Sequence, residues 1–185
     1  WINGDDKALI KSEAQYPILR RRGKISIIGC NSARASAPFL ATGYFKKKQA
    51  EGLQKLLREE RRQNQCCIVL IHHAPQKDAT SRYKRLLGAT RFRDVIAQEG
   101  ADLVLHGHTH LDTLTYIDAS SAQVPVVCVP AAYQWAGYRK PPAGLNLFKI
   151  TRKQQDWSIA LERHGLEPSA GQDFQKTFDE VISRI

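Results

Sequence analysis

Two apolar runs, each ending in a histidine motif, limit the architecture of this chain more than any other feature. Cys67-Ile68-Val69-Leu70 leads into Ile71-His72-His73-Ala74-Pro75, and Asp102-Leu103-Val104-Leu105 leads into Gly107-His108-Thr109-His110. A short apolar run without polar alternation reads as a strand buried on both faces, the kind found inside a parallel sheet. Between the two runs, Phe92, Val95 and Ile96 fall at helical spacing, with Thr90 as the expected N-cap and Gly100 as the stop. Strand, helix, strand predicts α/β packing. Ligands in open α/β sheets gather beyond the carboxyl ends of strands, so both histidine motifs are expected at one sheet edge. Imidazole is a common metal ligand, which makes a metal site there plausible. If the backbone stays extended, His108 and His110 point the same way, and Gly107 is expected to supply a turn that other residues resist. The plainer alternative is solvated loop histidines.

The rest of the chain supports one domain over residues 1–185. Residues 1–23 read as a polar surface segment and 24–30 as a strand. Residues 33–44 form a loop, and 45–63 a helix with Gln49, Leu53, Leu56 and Leu57 on one stripe. Residues 66–72 are the next strand, 74–88 a long loop, and 102–106 a buried parallel strand. Short runs at 113–117, 124–129, 145–150 and 157–163 then predict a meander in a second sheet. Residues 172–185 are predicted as a closing helix, with Phe174, Phe178, Val181, Ile182 and Ile185 on one face.

The strand endings His72-His73-Ala74-Pro75 and Gly107-His108-Thr109-His110 resemble the last two metal-binding motifs of the calcineurin-like metallophosphoesterases. Ile27-Ile28-Gly29-Cys30-Asn31-Ser32-Ala33-Arg34 is similar to a strand and loop of the family's cyclic-nucleotide and glycerophosphodiester phosphodiesterase branch. The resemblance covers roughly residues 24–150. It implies a four-layer α/β/β/α sandwich, of which this chain would form the C-terminal part. It also implies phosphodiester hydrolysis by two divalent metal ions (Mn, Fe or Zn). His72 and His108 would ligate one ion and His110 the other.

The family's three upstream motifs, Asp-x-His, Gly-Asp-x-x-Asp and Gly-Asn-His-Asp/Glu, do not occur here. The chain begins at Trp1 and has no Met. The expectation is therefore an N-terminally truncated domain with half of its dinuclear site missing, inactive or nearly so by itself. On the substrate side, Arg34 is a candidate to clamp phosphate bidentately and His73 to contact it; a surface arginine and a loop-packing histidine are the alternatives. Tyr133, Trp135 and Tyr138 either line a pocket that stacks a base or pack as a lid or in the core. His106 is expected to pack at its strand end and His164 to lie at the surface. The rival function is a non-catalytic binding or scaffold module. A metallo-β-lactamase signature, His-x-His-x-Asp-His, fails at its last position, where Thr113 stands.

Composition narrows the partners. No run of about 18 apolar residues is present, so no membrane span is expected. The net charge of +10 permits nucleic-acid binding, but two of the three basic clusters fall along a predicted surface helix, where charge is an ordinary solvated face. The expected partner is a small phosphoester, which a basic field would steer inward. Cys30, Cys66, Cys67 and Cys128 lie in or beside strand-like runs without metal or disulfide spacing, which suits buried thiols in a reducing cytoplasm.

Overall fold

A computed structural model describes residues 16–120, 122–135, 140–154, 156–166 and 174–184. A six-stranded sheet is built from β1 (Ile18–Arg22), β2 (Ile25–Cys30), β4 (Cys66–Ile71), β6 (Leu103–His106), β8 (Gln123–Cys128) and β7 (Thr113–Asp118), in the spatial order β1-β2-β4-β6-β8-β7. The four central strands are parallel, and each edge strand is antiparallel to its neighbour. Ile28, Val69, Val104 and Val126 align in one row across those four strands, and all four are buried. A strand covered on both faces needs apolar side chains at every position, which is why β4 and β6 read as continuous apolar runs.

Helices α1 (Lys47–Arg62) and α2 (Ala89–Glu99) cover one face. Leu53 and Leu57 of α1 and Phe92 and Ile96 of α2 pack with Val69 and Val104 of the sheet, and the Phe45 and Phe92 rings meet edge to face at 5.3 Å. Glu60 ties α1 to the sheet edge: it is fully buried, accepts two bonds from the Arg21 guanidinium at 2.6 and 2.9 Å, and accepts one from Ser26 Oγ at 2.6 Å. The opposite face carries Cys66, Ile68, Leu103 and Val127, which pack on Trp157, Ile159 and Leu161 of a second sheet. That sheet is antiparallel, in the order β11-β10-β9, with β9 at Gly144–Lys153, β10 at Asp156–Leu166 and β11 at Phe174–Arg184. A third ladder, β3 (Gly43–Tyr44) with β5 (Leu86–Leu87), joins the two long loops.

Four expectations change. The predicted C-terminal helix is a strand: β11 pairs antiparallel along β10 from Leu166↔Phe174 to Ser158↔Arg184, with irregularities where Thr177 and Ile182 are left over. Residues four apart share a face in a regular strand as in a helix, so the spacing of Phe174, Phe178 and Ile182 does not by itself separate the two; the extra residue at Thr177 leaves Phe174 exposed while Phe178 and Ile182 pack with the second-sheet cluster. Ile185 lies outside the described residues. Second, the runs at 113–118 and 123–128 extend the first sheet, and only β9, β10 and β11 form the second. Third, part of the expected surface segment, Ile18–Arg22, is an edge strand. Fourth, α2 begins at Ala89 behind Gly88, whose φ of 87° a left-handed N-cap needs, and Thr90 makes no cap; its hydroxyl accepts from Arg93 instead. Among the described residues the layers are helix, sheet and sheet, without the fourth, helical layer of the expected sandwich.

Candidate active site

The register sets the carboxyl ends of the parallel strands level: Cys30 pairs with Ile71, Ile71 with His106, and His106 with Cys128. The residues that follow, Asn31, His72 and Gly107, therefore leave the sheet side by side. A surface cleft opens there, with Cys30, Ile71, His72, His106 and Gly107 in its wall. The two histidine loops are laced together where Gly107 N donates to His72 O at 3.0 Å.

His72 and His108 converge. His72 Nε2 and His108 Nδ1 are 3.3 Å apart, and the ring centroids lie 5.1 Å apart. His72 is exposed to the cleft, while His108 is half-buried with an enclosed Nε2 that has no hydrogen-bond partner among the described residues. His73 packs behind it, its ring 4.3 Å from that of His108. Both His73 nitrogens are engaged, Nδ1 with Ser32 Oγ at 2.8 Å and Nε2 with Ala41 O at 3.2 Å. A carbonyl only accepts, so Nε2 carries the proton and Ser32 donates to Nδ1 in the neutral ring. A Cβ on Gly43 would fall 2.5 Å from the His73 ring, so the absence of a side chain there lets the ring lie against the backbone. His106, expected to pack at its strand end, does so: it is buried, accepts from Gln76 Nε2 at 3.3 Å and bonds Gly107 O at 3.1 Å. Gln76 is held in turn by Thr115 Oγ1 at 2.7 Å.

The turn differs from the extended segment expected. His108 and His110 both have positive φ, 67° and 53°, whereas Gly107 does not. Non-glycine residues adopt that region rarely, and such strain gathers at functional sites. The turn is held by Thr109 N donating to Gly107 O at 2.7 Å, by Thr109 Oγ1 against Cys128 Sγ at 3.2 Å, and by Lys140 Nζ donating to Thr109 O. Curled in this way, the loop delivers His108 to His72. No ring contact joins the half-buried His110 to the other histidines among the described residues. Arg34 is exposed, 6.0 Å from the centre of the Tyr44 ring, and among the described residues makes no hydrogen bond to a histidine. Tyr133 and Trp135 are exposed; Tyr138 lies outside the described residues.

Burial, and then the neighbouring His73, His72 and Lys84, push His108 down to about 4; a backbone contribution from Lys84 opposes this without reaching ordinary hydrogen-bond geometry. Burial lowers His73 and His106 as well. Near neutrality these three rings are uncharged, with the lone pairs of His73 and His106 already engaged by Ser32 and Gln76.

A family model described as calcineurin-like phosphoesterase matches residues 10–112, more than half of the chain. The chain belongs to the calcineurin-like phosphoesterase family. The match ends two residues beyond the Gly107-His108-Thr109-His110 motif and so takes in both histidine loops. Membership implies phosphoester hydrolysis, and the family typically binds divalent metals. No curated protein matches the chain significantly. The residues fit such an ion in part. Two nitrogens bound to one tetrahedral ion at 2.0–2.1 Å lie about 3.3 Å apart, which is the His72–His108 separation. Among the described residues, however, no group of three or more His, Cys, Asp or Glu side chains is arranged to hold a metal. The family's metal centre is therefore incomplete within them.

Several members of this neighbourhood were not singled out from the sequence. Ser32 lay in the stretch that resembles the family, but nothing marked it as the partner of His73. Gln76, Thr115 and Lys84 carry no local signal, because sheet pairing and a loop crossing bring them in from distant positions.

Proposed function

We propose that this chain carries the histidine side of a metal-dependent phosphodiesterase centre. The observation behind this reading is the convergence of His72 Nε2 and His108 Nδ1 at 3.3 Å on the carboxyl edge of the parallel sheet. His72 and His108 would hold one divalent ion, and His110 would serve a second once the remaining ligands are supplied from outside the described residues. Bound ions of this kind polarise phosphoryl oxygens and generate hydroxide at neutral pH. The chain's own residues act around them. His73, with both nitrogens occupied, orients His108 through ring packing; contact with substrate would require it to release Ala41 O. Gln76 and Thr115 hold His106 at the cleft wall. Arg34, on the loop after β2, would be the candidate to clamp a phosphate bidentately. The buried thiols accord with a cytoplasmic setting, and no helix among the described residues is long and apolar enough to cross a membrane.

That no third ligand joins His72 and His108 among the described residues favours a second reading, a non-catalytic module on the same fold. Hydrolysis of bis-p-nitrophenyl phosphate by the full-length protein separates the two. The phosphodiesterase reading expects turnover with Mn²⁺, a loss of at least about 100-fold in His108→Ala and His72→Ala, and unchanged circular dichroism. A full-length protein inert with Mn²⁺, Fe²⁺ and Zn²⁺ would leave the non-catalytic module.

A further inference from the structure

Beside the histidine cleft, the loop after His73, strand β5 and the first turn of α2 enclose a second pocket. Lys77, Arg82, Arg85 and Arg93 line it, with Asp78 as its one carboxylate. Among the described residues, none of these five makes an ion pair. Arg58, Arg61 and Arg163 pair with Glu99, Asp102 and Asp112, whereas Arg34 and Arg91, like the pocket residues, make no ion pair among the described residues; what sets the four pocket cations apart is that they line one concavity. Four cations around one concavity repel each other, and a bound anion relieves that repulsion.

Two of the four cations, Arg82 and Arg93, are also held in place. Arg93 donates to Pro75 O at 2.7 Å and to Thr90 Oγ1 at 3.2 Å. The Arg85 carbonyl accepts from Gly43 N at 3.1 Å, beside the β3–β5 ladder, and the Arg82 guanidinium lies 4.7 Å from the centre of the Tyr83 ring. The Arg82 and Arg93 guanidinium groups, anchored in this way, lose less freedom on binding and present paired N–H donors matched to phosphate oxygens. Gln76 lines this pocket and also donates to His106 in the cleft wall, so the two sites share one side chain.

The geometry points to a phosphate-binding pocket, distinct from the histidine cleft, that takes a phosphate or pyrophosphate group. That group is either a second phosphate on the substrate, an assignment that rests on the phosphodiesterase reading, or a free anion. Calorimetric titration of the 185-residue chain with pyrophosphate tests the pocket without needing catalysis. A Lys77→Gln/Arg85→Gln variant is expected to bind about tenfold more weakly, as loss of a charge-assisted hydrogen bond implies. Lys47→Gln/Lys48→Gln, which removes equal charge from α1, and His108→Ala are expected to bind like the parent. Arg85→Lys keeps the charge but loses the fork, and guards against a folding artefact. Equal weakening in both double variants would reduce the effect to the general basic field. Binding lost in His108→Ala, or absent from the parent at millimolar pyrophosphate, would also overturn the pocket. In the full-length protein, a KM that rises in the pocket variant for a phosphodiester bearing a further phosphate, but not for bis-p-nitrophenyl phosphate, identifies the group as part of the substrate. Unchanged KM for both, with pyrophosphate affinity lost, identifies a free anion. A full-length protein without turnover would count against the phosphodiesterase reading and leave the titration result standing.

Discussion

Glu60 shows how much one buried carboxylate can hold. Its bonds from Arg21, and secondarily from Ser26, keep its carboxyl below the usual range, while burial pulls the other way. A carboxyl lowered by folding stabilises the native state above its unfolded value near 4.5, and that contribution fades as pH falls through the folded value. Glu60→Gln should therefore cost about 2 kcal/mol at pH 7, and urea unfolding should show the gap to the parent closing below about pH 4. Two glycines make a sharper contrast. A Cβ at Gly43 meets the His73 ring at 2.5 Å, so Gly43→Ala must displace the ring that backs His108, at a cost of about 2 kcal/mol. At Gly107 the nearest heavy atom is His72 Nδ1 at 3.7 Å, and φ is not positive, so Gly107→Ala should change stability by less than about 0.5 kcal/mol. Thermal unfolding of both variants checks the pair. A severe loss at Gly107 would restore to that residue the turn-forming role that its neighbours hold here.

At the scale of elements, the buried strands and both helices were legible because their side-chain period shows locally. Leu53 and Leu57 mark the buried stripe of α1, and Phe92, Val95 and Ile96 that of α2. The last strand was not legible. Adjacent Val181 and Ile182 suit a helix face, and the four-residue spacing of Phe174, Phe178 and Ile182 suits either period, so the local pattern favoured a helix; pairing along β10 overrides it. This assignment has a measurable consequence. In a helix Val181 and Ile182 would both face the core, whereas in β11 Val181 is 40% exposed and Ile182 only 6%. Ile182→Ala should cost about 3 kcal/mol and Val181→Ala less than about 1 kcal/mol in chemical denaturation. Equal, large costs would return the segment to a helix. The β3–β5 ladder, two residues on each side, was equally hidden, because two residues carry no period at all.

For the molecule as a whole, the parallel sheet brings two imidazoles together and leaves the metal set incomplete among the described residues. Calorimetry with Zn²⁺ should accordingly find at most one weak site on the 185-residue chain. His72→Ala and His108→Ala should each weaken it by more than the about tenfold that loss of even an outer-shell partner costs. His110→Ala should leave it unchanged. A site that depends equally on His110 would show that the loop after β6 rearranges around the ion.

The sequence alone determined the order of buried strands and covering helices, the delivery of both histidine motifs to one sheet edge, and the likeness to a phosphoesterase family. Side-chain period and strand-end position are local properties, and a chain displays them before it folds. Tertiary structure decided which sheet received β7 and β8, that the closing segment is β11, and that His108 reaches His72 through a left-handed turn rather than an extended segment. Those outcomes depend on pairing between distant residues and on a loop that takes strained φ values because Cys128 and Lys140 hold it from outside. Pairing partners and imposed strain belong to the assembled molecule, and no run of neighbouring residues encodes them.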